Sequence, residues 1–277
     1  MSQRSTIESA DGTTLSVSRR GRGTPIVCVH GLCGQPQDFA LLWPHLEEQH
    51  EVWLYARRGR GGSGDGDGDD YGLEHEVQDL LAVIAAVEGP VHLFGHSLGG
   101  AISVLAAPQA DLRSLIVYEP ALLPHLSDER PRSAGIRAVA EDDLDAAVAS
   151  FAELAGITDE ELEQIRSVPA AYEGMKRASR TAPRELAALH ELDPERWRSR
   201  TIDVPSLVLT GERTSVDQYA GKEDLAEILT DGSFFTIPGQ GHLGTIFAAD
   251  EVASRILEFT AQVDASTELS SSTASSG

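Results

Sequence analysis

Lysine is nearly missing from this chain. Of its 22 basic residues only Lys176 and Lys222 are lysine, against 44 aspartates and glutamates, and the formal charge is −22. A surface this anionic repels nucleic-acid phosphates and anionic lipid heads, which argues against DNA, RNA or a membrane surface as partner. Acidic, lysine-poor composition suits a protein working in concentrated salt, where self-repulsion is screened. Cysteine is scarce too. Cys28 lies inside an apolar run and Cys33 just after it, in neither CxxC nor metal-type spacing, so both read as buried thiols. No apolar run approaches the ~20 residues that span a bilayer. The opening MSQRSTIESADGTTL lacks the apolar stretch of a secretory signal, and a cytoplasmic protein acting on a small molecule is expected. What is present is 277 residues, 41% hydrophobic and 24% charged, the make-up of a folded domain large enough to need no disulfide staple.

The apolar pattern alternates between strand and helix. Residues Ser5 to Val17 alternate in polarity about Asp11-Gly12, a hairpin signature. Strands are then expected at Pro25 to His30, Glu51 to Tyr55, Val91 to Phe94 and Leu115 to Tyr118. Helices between them are expected at Gln37 to Gln49, Leu73 to Val87 and Leu98 to Ala107. This is the βαβ pattern of a mostly parallel sheet flanked by helices. From Pro124 to Arg200 strand signals stop and helical stretches with acidic starts take over, notably Asp142 to Leu154, Asp159 to Ser167 and Arg184 to His190. Alternation resumes after Pro205, with strands at Ser206 to Leu209 and Ser233 to Ile237 and helices near Asp224 to Leu229 and Asp250 to Val263. The expected organisation is a core of residues 1–123 and 201–263, a helical insertion at 124–200, and a disordered Ser-rich tail at 264–277.

The chemistry-bearing residues sit at strand ends. Gly95-His96-Ser97-Leu98-Gly99 lies between a strand and a helix, where a G-x-S-x-G nucleophile elbow belongs; small flanking residues let strand and helix approach while Ser97 projects alone. A serine hydroxyl attacks only when a base takes its proton, which asks for a histidine late in the chain. His242, in Pro-Gly-Gln-Gly-His after the last strand, meets that demand. His45, His50, His75, His125 and His190 lie in polar stretches, and His92 and His96 flank the elbow. Acyl transfer further needs N–H donors for the developing oxyanion. The turn His30-Gly31-Leu32-Cys33-Gly34 and the start of the helix after Ser97 offer the Leu32 and Leu98 amides.

With these elements in this order, HGLCG, GHSLGG and the late GQGH resemble the α/β-hydrolase family over about Ser5 to Val263. ARRGRGGSG, LIVYEPALL and LVLTGERTS are similar to segments of small prokaryotic members with a helical cap. The resemblance implies the α/β-hydrolase fold, a serine nucleophile, and an acid and a histidine following it in the chain. It implies a serine hydrolase, a carboxylesterase first, with lactonases, C–C hydrolases, cofactor-free perhydrolases, acyltransferases and non-catalytic binding proteins on the same scaffold. The usual slot for the acid, past the penultimate strand, holds Thr214 here. Asp217 and Glu212 share that loop. Glu119, at the end of LIVYEP, occupies a position that some relatives use, and it is preferred because a carboxylate after a buried strand emerges at the sheet edge near the elbow.

Two rival motifs fail on their own context. Gly59 to Gly64 spells GxGxxG after a strand, with Asp79 downstream, but the loop opens no helix and runs instead into Asp65, Asp67, Asp69 and Asp70, which would repel a pyrophosphate. Those aspartates with Glu76 loosely mimic a calcium loop whose central glycine is replaced by Asp70. The clusters Glu141 to Asp145 and Asp159 to Glu163 read as solvated helix faces. No cofactor or metal is implied.

Overall fold

The computed structural model describes residues 3–67, 70–122, 129–214, 219 and 222–274. Strands β1 (Gln3–Glu8) and β2 (Thr14–Gly21) form the opening hairpin, turned by Gly12 at φ 83°, a conformation that costs glycine nothing. Strands β3 (Thr24–Val29), β4 (His50–Tyr55), β5 (Val91–His96), β6 (Leu112–Tyr118), β7 (Ser206–Gly211) and β8 (Gly232–Ile237) follow. Among the described residues they form one eight-stranded sheet in the order β1-β2-β4-β3-β5-β6-β7-β8. Pairing is antiparallel at β1-β2 and β2-β4 and parallel from β4 to β8.

The central strands read as unbroken apolar runs because both faces are covered. Along β3, Val27 and Val29 enter one core with α2 (Leu73–Ala85) and α3 (Leu98–Ala106). Ile26 and Cys28 enter the opposite core with α1 (Trp43–Leu46) and α12 (Ala249–Ala274). Strand β6 divides its side chains in the same way, Leu115 and Val117 against Ile116 and Tyr118. Between β6 and β7 lie α4 (Glu129–Ala140), α5 (Leu144–Leu154), α6 (Asp159–Arg166), α7 (Pro169–Ser179), α8 (Ala182–His190) and α9 (Glu195–Arg198). Helices α10 (Lys222–Ala226) and α11 (Gly244–Phe247) complete the set in the described residues. Thr158 and Glu161 form a reciprocal capping box on α6, and Asp143 caps α5. Cys33 joins Phe151, Leu154, Ala182 and Leu186 in one cluster, so the insertion shares a core with the loop after β3.

Three local expectations are corrected. Gln37 to Gln49 is not one helix but a 3-10 turn at Pro36–Phe39 and the short α1, because Pro44 lacks an N–H and takes the first turn of a new helix. Helix α12, expected to end near Val263, continues through Ala274. Asp264 accepts from Thr24 Oγ1 at 2.8 Å and pairs with Arg113 at 3.2 Å, while Ser266 and Thr267 bond back to the carbonyls of Gln262 and Val263. His50 is buried rather than in a polar surface stretch, held by the Thr24 carbonyl and the Thr260 hydroxyl, both at 2.9 Å. Asp69, Asp217 and residues 123–128, which include Pro124 and His125, lie outside the described residues.

Candidate active site

Strand order reverses between β3 and β5, and in open α/β sheets the crevice at such a reversal, beyond the carboxyl ends of the strands, is where ligands bind. Both candidate loops leave the sheet there. Ser97 joins β5 to α3 at φ 55° and ψ −121°, a strained backbone for a residue with a side chain. Its N–H donates to the Tyr118 carbonyl at 3.0 Å, and its own carbonyl accepts from Ala101 and Ala121 at 3.0 and 3.1 Å, so the bend is held from both sides. The flanking glycines are required sterically. A Cβ on Gly99 would run into the Val29 and His30 carbonyl oxygens, and one on Gly95 would lie 2.5 Å from the Gly99 carbonyl oxygen.

Of the candidate carboxylates among the described residues, Glu119 meets His242. Its Oε2 lies 2.7 Å from His242 Nδ1, and its Oε1 accepts the Gly211 N–H at 2.6 Å. Both side chains are buried, and Glu119 stands at φ 46° where the chain leaves β6. Glu212 is exposed and turned away, its carboxylate accepting the Gly239 N–H at 2.6 Å.

The His242 loop is pinned by neighbours from several elements. Tyr118 Oη donates to the Gly241 carbonyl at 2.7 Å, and His96 Nε2 bonds the His242 carbonyl at 2.9 Å, with the two imidazole centroids 4.7 Å apart. Burial, helped by the nearby His242 ring, pushes the His96 imidazole down to about 3; it is a neutral donor at ordinary pH. The Tyr219 ring stacks on His242 at 4.3 Å with an interplanar angle of 8°, and its hydroxyl donates to the Ala155 carbonyl at 3.0 Å. Neither support was legible beforehand: His96 reads only as an elbow neighbour, and nothing in the sequence separates Tyr219 from other tyrosines.

The loop after β3 lies against the elbow. A Cβ on Gly31 would sit 2.9 Å from Ser97 Cβ and 3.4 Å from its Oγ, so only glycine allows this approach. Leu98 is the first residue of α3, and its N–H has no intrahelical acceptor. Among the described residues neither the Leu32 nor the Leu98 N–H has a backbone acceptor. Of the rival motif, Asp79 is buried in a two-toothed pair with Arg58, both contacts at 2.7 Å, and Gly59 and Gly61 serve a loop at positive φ.

The fold is that of a known class of α/β proteins, and comparison with known proteins names the family. The chain belongs to the alpha/beta hydrolase family, whose model matches residues 26–255. An alpha/beta hydrolase structure from Sphaerobacter thermophilus is similar at 29% identity and TM-score 0.76, over 92% of this chain and all of that one. A thermophilic esterase from Thermogutta terrifontis matches at 22% identity and TM-score 0.71, over 94% of this chain and 99% of that one, a likeness of fold. The dihydrolipoyllysine-residue acetyltransferase component of the acetoin cleaving system of Pseudomonas putida is 28% identical over 246 residues. That match takes in 86% of this chain but only 63% of the length of the Pseudomonas protein.

Proposed function

We propose that the chain is a cytoplasmic serine hydrolase that cleaves a carboxylic ester of a small to medium apolar substrate through an acyl-enzyme. Ser97 Oγ attacks the carbonyl carbon as His242 Nε2 takes its proton. The carbonyl electrons move to an oxyanion facing the Leu32 and Leu98 amides. The C–O bond then breaks, and the leaving alcohol takes the proton from His242. Water repeats the sequence on the acyl-serine, giving its proton to His242 and releasing the acid as Ser97 recovers its hydrogen. Glu119 holds the imidazole with Nδ1 protonated and stabilises the imidazolium. The insertion from α4 to α9 serves as a lid, and its Ala- and Leu-rich helices suit a modest acyl pocket.

The observation that carries this reading is the buried Glu119–His242 contact at 2.7 Å beside an elbow whose serine is held at positive φ. A structural role alone does not call for a strained serine and an oriented imidazole at one strand edge. A fluorophosphonate probe tests it. The wild-type chain labels at position 97, Ser97→Ala does not, and p-nitrophenyl acetate turnover follows the label. Labelling and turnover that rise from dilute buffer to molar potassium chloride support adaptation to salt as well. A folded wild-type chain that neither labels nor turns over any p-nitrophenyl ester is a binding protein, and the reading falls.

A further inference from the structure

The carbonyl of Gly31 is surrounded by donors. Arg57 Nη1 reaches it at 3.0 Å and Arg60 Nη1 at 3.2 Å, the Gly34 N–H donates at 3.2 Å, and His30 Nδ1 lies at 3.2 Å. The tautomer of His30 follows from its other nitrogen. Nε2 accepts the Arg57 backbone N–H at 3.2 Å, so Nδ1 carries the proton and donates. Burial and then the two arginines hold this imidazole well below its ordinary pKa, which keeps it neutral. Four donors, two of them on buried guanidinium groups, therefore converge on one peptide oxygen with two lone pairs. A turn needs the Gly34 bond alone, and the other three call for a reason.

The same peptide unit carries the Leu32 N–H. No cis peptide is present among the described residues, so in this planar trans unit the N–H points opposite to the C=O. Gly31 itself packs on Ser97. With its oxygen gripped by arginines on one side, the unit presents its hydrogen on the other. Positive charge at the oxygen also draws electron density from the amide and strengthens the N–H as a donor. On the serine-hydrolase reading above, we propose that Arg57 and Arg60 are positioning residues that aim and polarise the Gly31–Leu32 peptide as an oxyanion donor.

The arrangement depends on the insertion. Arg57 forks onto Glu76 at 2.9 and 3.1 Å and meets Glu185 of α8 at 3.1 Å; Arg60 bonds the same Glu185, as well as Thr181 Oγ1 at 2.6 Å and the Gly34 carbonyl at 3.2 Å. Burial alone would raise the Glu185 carboxyl, but Arg57 and then Arg60 draw it below its ordinary value. Two cations and two carboxylates balance in a fully enclosed cluster, a costly arrangement unless each partner is held. The insertion thus supplies the carboxylate that keeps both guanidinium groups on the Gly31 oxygen.

The test uses Arg60→Lys, which keeps a charge for Glu185 but cannot bridge carboxylate and carbonyls together, and the double variant Arg60→Gln/Glu185→Gln, which removes one charge of each sign so that no ion is stranded. Hydrolysis of p-nitrophenyl acetate is followed with inhibition by an alkyl trifluoromethyl ketone, whose serine adduct carries an oxyanion. Outright loss of an oxyanion donor costs ~10²–10³ in kcat, so a donor that is present but mis-aimed is expected to cost ~10–100-fold. KM stays within about twofold by the same reasoning, since the interaction belongs to the transition state. The ketone Ki weakens in parallel with kcat, and the acid limb of the pH profile stays in place. Asp79→Asn, which breaks the neighbouring Arg58 pair, serves as a control that loses stability without moving kcat or Ki. Folded variants with unchanged kcat and Ki, or with kcat falling while Ki holds, overturn the proposal while leaving the hydrolase reading intact if the wild type labels at Ser97. A wild type that neither labels nor turns over ester overturns both.

Discussion

Replacing Glu119 by glutamine changes one atom type and no volume, yet the geometry implies a large effect. Oε1 accepts the Gly211 N–H at 2.6 Å, so the new side chain places its carbonyl oxygen there. Its NH2 group is then left facing His242 Nδ1, where Oε2 stood at 2.7 Å. A donor at that position forces the imidazole to protonate on Nε2, the wrong tautomer to accept from Ser97. The imidazolium that forms during attack also loses its buried counter-charge. With charge centres ~4 Å apart and an effective dielectric of ~20, that interaction is about 4 kcal/mol, close to three decades of rate. Together these give an expected loss of ~10³–10⁴ in kcat for p-nitrophenyl acetate at pH 8, comparable with the loss from the corresponding substitution in the general triad template. Glu212→Gln serves as the comparison, because that exposed carboxylate only accepts the Gly239 N–H. It is expected to stay within about threefold of wild type, as surface substitutions away from a site do. Stopped-flow acylation and thermal melting are measured side by side. A folded Glu119→Gln protein within tenfold of wild type refutes the assignment of the orienting acid.

Two further outcomes follow from the elbow. Gly99→Ala drives a methyl into the Val29 and His30 carbonyl oxygens, both backbone and unable to yield cheaply. It is expected to cost more than ~3 kcal/mol in urea unfolding, in the range reserved for overpacking and strain, and a loss under 1 kcal/mol contradicts the packing described. His96 is held neutral down to about 3 in the fold. The unfolded imidazole binds a proton below ~6.5, so the unfolded state gains protons first and stability falls as pH falls from 6.5 toward 3, with no effect above. Between pH 7.5 and 5 this group alone removes about 2 kcal/mol, and His96→Asn is expected to lose that much less over the same interval. Asp38, whose carboxyl burial holds up to about 7, works in the opposite sense and is common to both proteins. Equal pH slopes for wild type and variant exclude a buried neutral His96.

The sequence carried the strand-loop-helix rhythm, because apolar runs and their breaks are local. It also carried the elbow, because a sharp strand-to-helix bend needs its own glycines at fixed offsets. Much of the insertion was harder to read. Helices α4 and α7 hold Arg, Glu and Gly among their apolar positions, and Gly135 of α4 makes sense only where Phe151 of α5 packs on it. The segment after residue 264 reads as polar and loose, yet it continues a helix already anchored by Asp264 to β3 and to Arg113 of β6. Helix formation is cooperative, so an anchored helix extends through residues that would not start one.

Contacts across the sheet were a different matter. Glu119 and His242 stand 123 residues apart and meet at 2.7 Å because β6 and β7 are neighbours and the Gly211 amide holds the carboxylate between them. The three arginines of one short loop are alike in sequence, and they part company only in space: Arg58 onto Asp79, Arg57 and Arg60 onto Gly31 and Glu185. Residue types, their order and their local spacing were enough to name the nucleophile and the histidine as candidates. Which carboxylate reaches that histidine, and which cations grip the loop beside the serine, depends on strand neighbours and on charges that are stable when buried only as matched pairs. Those are properties of the assembled fold and of no single segment.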